Sequence, residues 1–236
     1  SISGPADPEL IRQAQIGYYA CITHLDHQIG RLIMALKEHE VYDDCVILFT
    51  SDHGEELCDH HMFRKARPYE GSCHIPMLIT AGKNVLTDMA SSSVCGDVAE
   101  LRDVMPTLLD AAGADIPATV DGHSLIPLVR RPENSLRSWL HGEHAVDEFS
   151  NHWIVTNRDK YIWYSQTGVE QYFDLENDPH ELTDRIHDPD AQERISRLRG
   201  HLIESLAGRP EGYTDGEALI VGKPYADVLP NADSGI

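Results

Sequence analysis

The sequence predicts an α/β fold with a smaller α+β unit joined to its C-terminal side. Three features predict it. A long amphipathic stretch leads into a short, wholly apolar run. A polar, histidine-rich loop follows that run directly. Near Ser135 the pattern changes to short strands separated by turns.

The first element is a helix over Asp7–His39. Apolar residues recur at Ile16, Tyr19, Ala20, Ile22, Leu25, Ile29, Leu32, Ile33 and Leu36, the spacing that lines one helical face. Asp7 is placed to cap it, with Pro8 at the first helical position. Cys45-Val46-Ile47-Leu48-Phe49-Thr50 then reads as a strand buried on both faces, the signature of a parallel sheet covered by helices. Ile75–Thr80 reads as a second strand and Val98–Ala112 as a second helix. Beyond Ser135, strands are expected at Trp139–His141, His152–Thr156, Lys160–Tyr164 and Val169–Phe173, with a helix at Ala191–Leu206. The expected organisation is a mostly parallel α/β core at 1–134, an α+β subdomain with an antiparallel sheet at 135–207, and a Gly/Pro/Asp-rich tail at 208–236 that wraps the surface or stays disordered.

The chain has 236 residues, 41% of them hydrophobic, which is enough for a substantial core. Its net charge is −20. So acidic a surface repels phosphate backbones and anionic lipid, so neither nucleic acid nor a membrane is an expected partner. No apolar run approaches the roughly 18 residues of a membrane span. Five cysteines without CxxC spacing do not form a disulfide framework. They read as buried free thiols in a reducing compartment such as the cytoplasm, and no targeting segment is visible.

The chemistry-bearing stretch follows the first strand. Asp52 and His53 stand just beyond its carboxyl end, where open α/β sheets place ligands, and Gly54 permits close backbone approach. A carboxylate beside an imidazole suits a divalent metal if further ligands arrive from elsewhere. Spacing alone leaves open a bare solvent-exposed turn. His60 and His61 share the loop; loop packing or a hydrogen bond to a residue that itself holds a ligand is the ordinary role for such residues, and His60 is a secondary substrate-binding candidate. His141-Gly142-Glu143-His144 lacks the helical zinc-motif spacing, and on a strand its alternate side chains point opposite ways. It reads as a loop at the edge of the pocket, with His144 a further substrate-binding candidate. Trp153, Trp163 and Tyr164 read as sheet core rather than a sugar platform, and Asp174 and Asp178-Pro179 as turn residues.

Three blocks in order carry a family resemblance: Tyr18-Tyr19-Ala20 with Leu25-Asp26; Ser51-Asp52-His53-Gly54-Glu55-Glu56 through Lys65 to Pro68-Tyr69-Glu70-Gly71-Ser72 and His74-Ile75-Pro76; and Tyr172-Phe173-Asp174-Leu175 with Asp178-Pro179 and Glu181. Over about residues 5 to 205 the chain resembles the C-terminal half of the sulfatase family of the alkaline phosphatase superfamily. The resemblance implies that Asp52 and His53 bind a divalent metal (Ca, Mn or Mg). It implies that Lys65, 12 residues after His53, contacts the sulfate of a small-molecule sulfate ester. His53 stands where many sulfatases have Asn, and His74 where Arg is common; a His at the metal position is shared with phosphonate monoester hydrolases. The family's nucleophile is a formylglycine made from the Cys or Ser of Cys/Ser-x-Pro-x-Arg. No Cys or Ser in this sequence has that context. The resemblance therefore implies a nucleophile upstream, in an N-terminal half of the same protein that would be this chain's partner. The alternatives are a phosphonate monoester or phosphodiester hydrolase with the same machinery, or a non-catalytic α/β module.

Overall fold

The computed structural model describes residues 2–3, 7–65, 67–145 and 147–224. They divide into two compact units. The first holds the described residues up to Lys65 together with His74–Leu136; the second holds the segment ending at Cys73 and the chain from Arg137 onward.

In the first unit, β1 (Ile2–Ser3) pairs antiparallel with β3 (Met62–Phe63). Helix α1 (Pro8–Glu38) is capped as the sequence predicts: the Asp7 carboxylate accepts from the Glu9 N–H at 2.9 Å, and Pro8 opens the helix. None of its residues is buried, and Ile16, Tyr19, Leu25 and Leu32 are each at least half exposed. Strand β2 (Val46–Thr50) pairs with β4 (Met77–Ala81), from Val46 opposite Ala81 to Thr50 opposite Met77. Helices α2 (Val104–Ala111) and α3 (Ile126–Arg130) complete the unit. The Asp103 carboxylate, fully buried, accepts from the N–H groups of Glu100 and His123 and so ties the start of α2 to the loop before α3.

Three expectations for this unit differ from the structure. Among the described residues β2 meets β4 as an antiparallel pair, where a parallel pair was expected. A parallel return needs a crossover helix, and among the described residues between Thr50 and Met77 the helical segments are the short turns Asp59–His61 and Glu70–Cys73. Nor is β2 buried on both faces, since Phe49 is exposed and its neighbours are half-buried. The predicted helix over Val98–Ala112 is shorter, beginning as a 3₁₀ turn at Leu101–Asp103.

In the second unit, β5 (Leu140–His144), β6 (Asn151–Val155), β7 (Asp159–Tyr164) and β8 (Glu170–Asp174) form an antiparallel sheet in sequence order. The predicted Trp139–His141 strand thus runs on to His144. Helix α4 (Gln192–Leu206) buries Ile195, Leu198, Leu202 and Leu206 against Ile154, Tyr161, Trp163 and Tyr172 of the sheet. The part of the tail that is described does pack: Tyr213 is buried in this core, and Thr214 bridges to Leu219. Residues 225–236 of the predicted tail lie outside the described residues. Asp174 is no simple turn residue. It is buried, accepts from Arg185 and Arg194, and is held below the usual carboxylate range: burial opposes this, but hydrogen bonds from Asn177 and Arg194 outweigh it. All five cysteines are free, but Cys21 is exposed and the others are half-buried, not buried as expected.

The charge cluster at the heart of this unit was not foreseen. Lys160 is fully buried, with its ammonium 2.6 Å from Glu70 and 2.9 Å from Glu181. Glu181 also accepts from the Glu70 N–H at 2.6 Å. Burial disfavours the ammonium, yet the two carboxylates hold Lys160 above the ordinary lysine value, while burial pushes the Glu181 carboxyl up. Removing one member of such a cluster strands the others in a dry site. Lys160→Met is therefore expected to lower the unfolding free energy by about 3–5 kcal/mol in chemical denaturation. A loss under about 1 kcal/mol, the usual value of a surface pair, would show that the cluster does not anchor the unit.

Candidate active site

The site lies beyond the carboxyl end of β2, at Asp52 and His53. The loop that follows is closed by its own backbone. The Cys58 N–H donates to the Met62 carbonyl at 2.7 Å and the Glu56 N–H to the Arg64 carbonyl at 3.0 Å. The Arg64 N–H also donates to the Glu55 carboxylate. Leu57, Cys58, His60, His61 and Arg64 all take positive φ. Non-glycine residues rarely adopt that conformation, and it persists only where surrounding structure holds it. Here the anchors are buried Met62 and a hydrogen bond from Gln15 of α1 to the Leu57 carbonyl. The result is a pinched loop whose two ends meet, so Lys65 returns to His53.

Three predicted residues converge there. The Asp52 carboxylate accepts from the His53 N–H at 3.0 Å, and its second oxygen lies 3.3 Å from His53 Nε2. His53 Nδ1 lies 2.8 Å from the Gly54 carbonyl, and the Lys65 ammonium sits on Nε2. A carbonyl only accepts and an ammonium only donates. Nδ1 therefore carries the proton, and Nε2 presents its lone pair beside the Asp52 oxygen. Orienting an imidazole through a backbone carbonyl is how proteins prepare a metal ligand.

The donor set fits a divalent cation. One carboxylate oxygen and one imidazole nitrogen face the same space, and the Asp52 side chain is 83% exposed, leaving room for further oxygen ligands. The cationic Lys65 head already occupies the lone pair that a metal would take.

His60 lies at the tip of the loop, beyond the Cys58–Met62 closure, within the turn Asp59–His61. His144 ends β5 in the second unit and is exposed. The contacts described for the Asp52–His53–Lys65 group run among those three residues and Gly54. Arg67, two residues past Lys65, stacks over the Phe149 ring at 3.9 Å and belongs to the second unit.

A family model described as N-sulphoglucosamine sulphohydrolase, C-terminal, matches residues 58–207, a stretch that includes Lys65, Glu70, Lys160 and Glu181. The chain belongs to the sulfatase family. An arylsulfatase of Clostridium perfringens is 48% identical over 225 residues, which is 95% of this chain and 47% of that protein. Arylsulfatase K of Homo sapiens is 34% identical, over 73% of this chain and 33% of that protein. Among solved structures, the Bacteroides fragilis protein yidJ, assigned as a sulfatase, superposes with a TM-score of 0.74 at 26% identity, covering 86% of this chain and 45% of that one. The phosphonate monoester hydrolase of Agrobacterium radiobacter gives 0.67 at 28% identity, over 79% and 40%. The chain spans about half the length, or less, of the sulfatase relatives it matches.

The geometry of His53 makes a direct prediction. Long-range ¹H–¹⁵N correlation spectra are expected to show the neutral Nδ1–H tautomer, with Nε2 unprotonated. An Nε2–H tautomer would mean that the imidazole does not present its lone pair beside Asp52.

Proposed function

We propose that this chain supplies the metal-holding and anion-binding part of a metal-dependent sulfatase that hydrolyses sulfate esters. What carries the reading is the convergence of Asp52, His53 and Lys65 at the end of β2, residues 12 positions apart in sequence joined by a self-closed loop. In this reading Asp52 and His53 hold a divalent cation (Ca²⁺, Mn²⁺ or Mg²⁺) through a carboxylate oxygen and Nε2. When bound, such a cation neutralises charge on a sulfate oxygen and lowers the cost of attack at sulfur. Gly54 fixes the His53 ring through its carbonyl.

Lys65 moves from His53 to the substrate. Its ammonium is a compact point charge, suited to oxygens whose charge grows as the S–O bond breaks. The nucleophile in this reading is a formylglycine contributed by the N-terminal half that the longer relatives have. That half also covers the apolar face of α1, where Ile16, Tyr19, Leu25 and Leu32 are exposed in this chain.

A second reading within the same chemistry is a phosphonate monoester or phosphodiester hydrolase. His53 favours it, as does the 28% identity to phosphonate monoester hydrolases of solved structure. The ratio of kcat/KM for an aryl sulfate and a phenyl phosphonate monoester, measured on the whole enzyme, separates the two.

Lys65 is exposed and lies beside exposed Arg64. In the whole enzyme, Lys65→Ala is expected to lower kcat/KM for an aryl sulfate by about 10²-fold, the loss typical of a preorganised stabilising group. Its thermal midpoint is expected to stay at the wild-type value, since an exposed charge adds little stability. Arg64→Ala, the adjacent control, is expected to keep wild-type kinetics. If the two variants behave alike, Lys65 is an ordinary surface charge and the reading fails.

A further inference from the structure

We propose that His141, Glu143 and His152 form a second metal site, selective for Zn²⁺ or a similar first-row transition cation, in the second unit. The strand geometry builds it. His141 and Glu143 stand two apart on β5, so their side chains leave the same face. His152 on β6 is the direct cross-strand partner of Glu143 and shares that face. The ligand atoms are His141 Nε2, a Glu143 carboxylate oxygen and His152 Nδ1, all within 4.8 Å of one another.

Two of the three separations match the edge of a coordination tetrahedron. His152 Nδ1 lies 3.3 Å from His141 Nε2 and 3.3 Å from Glu143 Oε2. Zinc binds such ligands at about 2.0–2.1 Å in a tetrahedron, whose edges are then about 3.3–3.4 Å. His152 Nδ1 thus faces a carboxylate oxygen and a second ring nitrogen at once. A single proton on Nδ1 satisfies one of them well; a cation at the centre satisfies all three. Two imidazoles and a carboxylate are a donor set that zinc takes, with water completing the tetrahedron.

The surroundings hold the ligands in place. His152 is buried, packed between the His141 ring at 5.5 Å and the Trp163 ring at 5.7 Å, with Tyr213 edge-on at 4.9 Å. Arg209 donates to Glu143 at 2.6 Å and to Glu211 at 2.7 Å. A bound cation displaces the first of these contacts and leaves Arg209 its pair with Glu211. The site joins the edge strand β5 to the core under Tyr213, so its role is to clamp the sheet edge. Nothing in it depends on the sulfatase reading.

The test uses the full chain carrying Asp52→Asn and His53→Gln, which removes the first-unit ligands. Titrated with Co²⁺, this protein is expected to develop the visible bands of tetrahedral cobalt at one equivalent, bleached by Zn²⁺. It is also expected to retain one equivalent of Zn²⁺ after dialysis. His141→Gln and Glu143→Gln, at half-exposed and exposed positions, are each expected to abolish both signals. Their unfolding midpoints without metal serve to show that they fold. Bands absent from the starting protein, or bands that survive both substitutions, would overturn the proposal and leave the cluster as an ion pair between Glu143, His152 and Arg209.

Discussion

The second unit depends on one buried cation. Lys160, the second residue of β7, has no exposed surface and lies between the carboxylates of Glu70 and Glu181. Taking the Lys160 ammonium and the Glu181 carboxylate out of water costs several kcal/mol each, offset by their close pairing and by the partly exposed Glu70 carboxylate. The cluster therefore tolerates one arrangement. It fastens three stretches far apart in sequence: the segment ending at Cys73, strand β7 and the turn after β8. Around it, Tyr69 packs edge-on against Phe173 and donates to Gln171, and Arg67 covers Phe149. The segment that begins immediately after Lys65 is thereby an integral part of the second unit, although it precedes that unit's sheet by some 70 residues.

This anchoring explains what was and was not legible in the sequence. The helices declared themselves through local signals: Asp7 and Pro8 started α1, and Ala191–Leu206 read as a helix, whose Ile195, Leu198, Leu202 and Leu206 the structure buries. The sheet of the second unit was visible in its turns. Strand direction was not. An apolar run reports burial, not orientation, and for β2 it misreported even that, because in this chain its described partner is the single strand β4. Lys160 was invisible for a different reason. A lysine in a strand looks like a solvent-facing residue until its partners are known, and Glu70 and Glu181 come from distant segments. Their only trace was their place in family motifs. The His141–Glu143–His152 cluster was hidden likewise. Its first two members share the strand parity that the sequence shows, but the third arrives through cross-strand register.

The candidate active site was more legible because its residues lie within one loop. Asp52 and His53 were marked by their place after β2, and Lys65 by its distance along the chain. The sequence did not show how a 12-residue span closes. The structure supplies the answer in the paired backbone of Glu56 with Arg64 and Cys58 with Met62, and in the left-handed residues that make the pinch. A loop of this kind places an imidazole nitrogen, a carboxylate oxygen and an ammonium together.

The arrangement at Asp52, His53 and Lys65 is decided by where a divalent cation and a sulfate group would sit. The most direct measurement is anomalous diffraction at the manganese edge from crystals of the whole enzyme grown with Mn²⁺ and an unreactive sulfate-ester mimic. The predicted result is one manganese ion bonded to the Asp52 carboxylate and His53 Nε2, with the Lys65 ammonium shifted from His53 to a sulfate oxygen. Manganese bound elsewhere, with Lys65 still on His53, would contradict it.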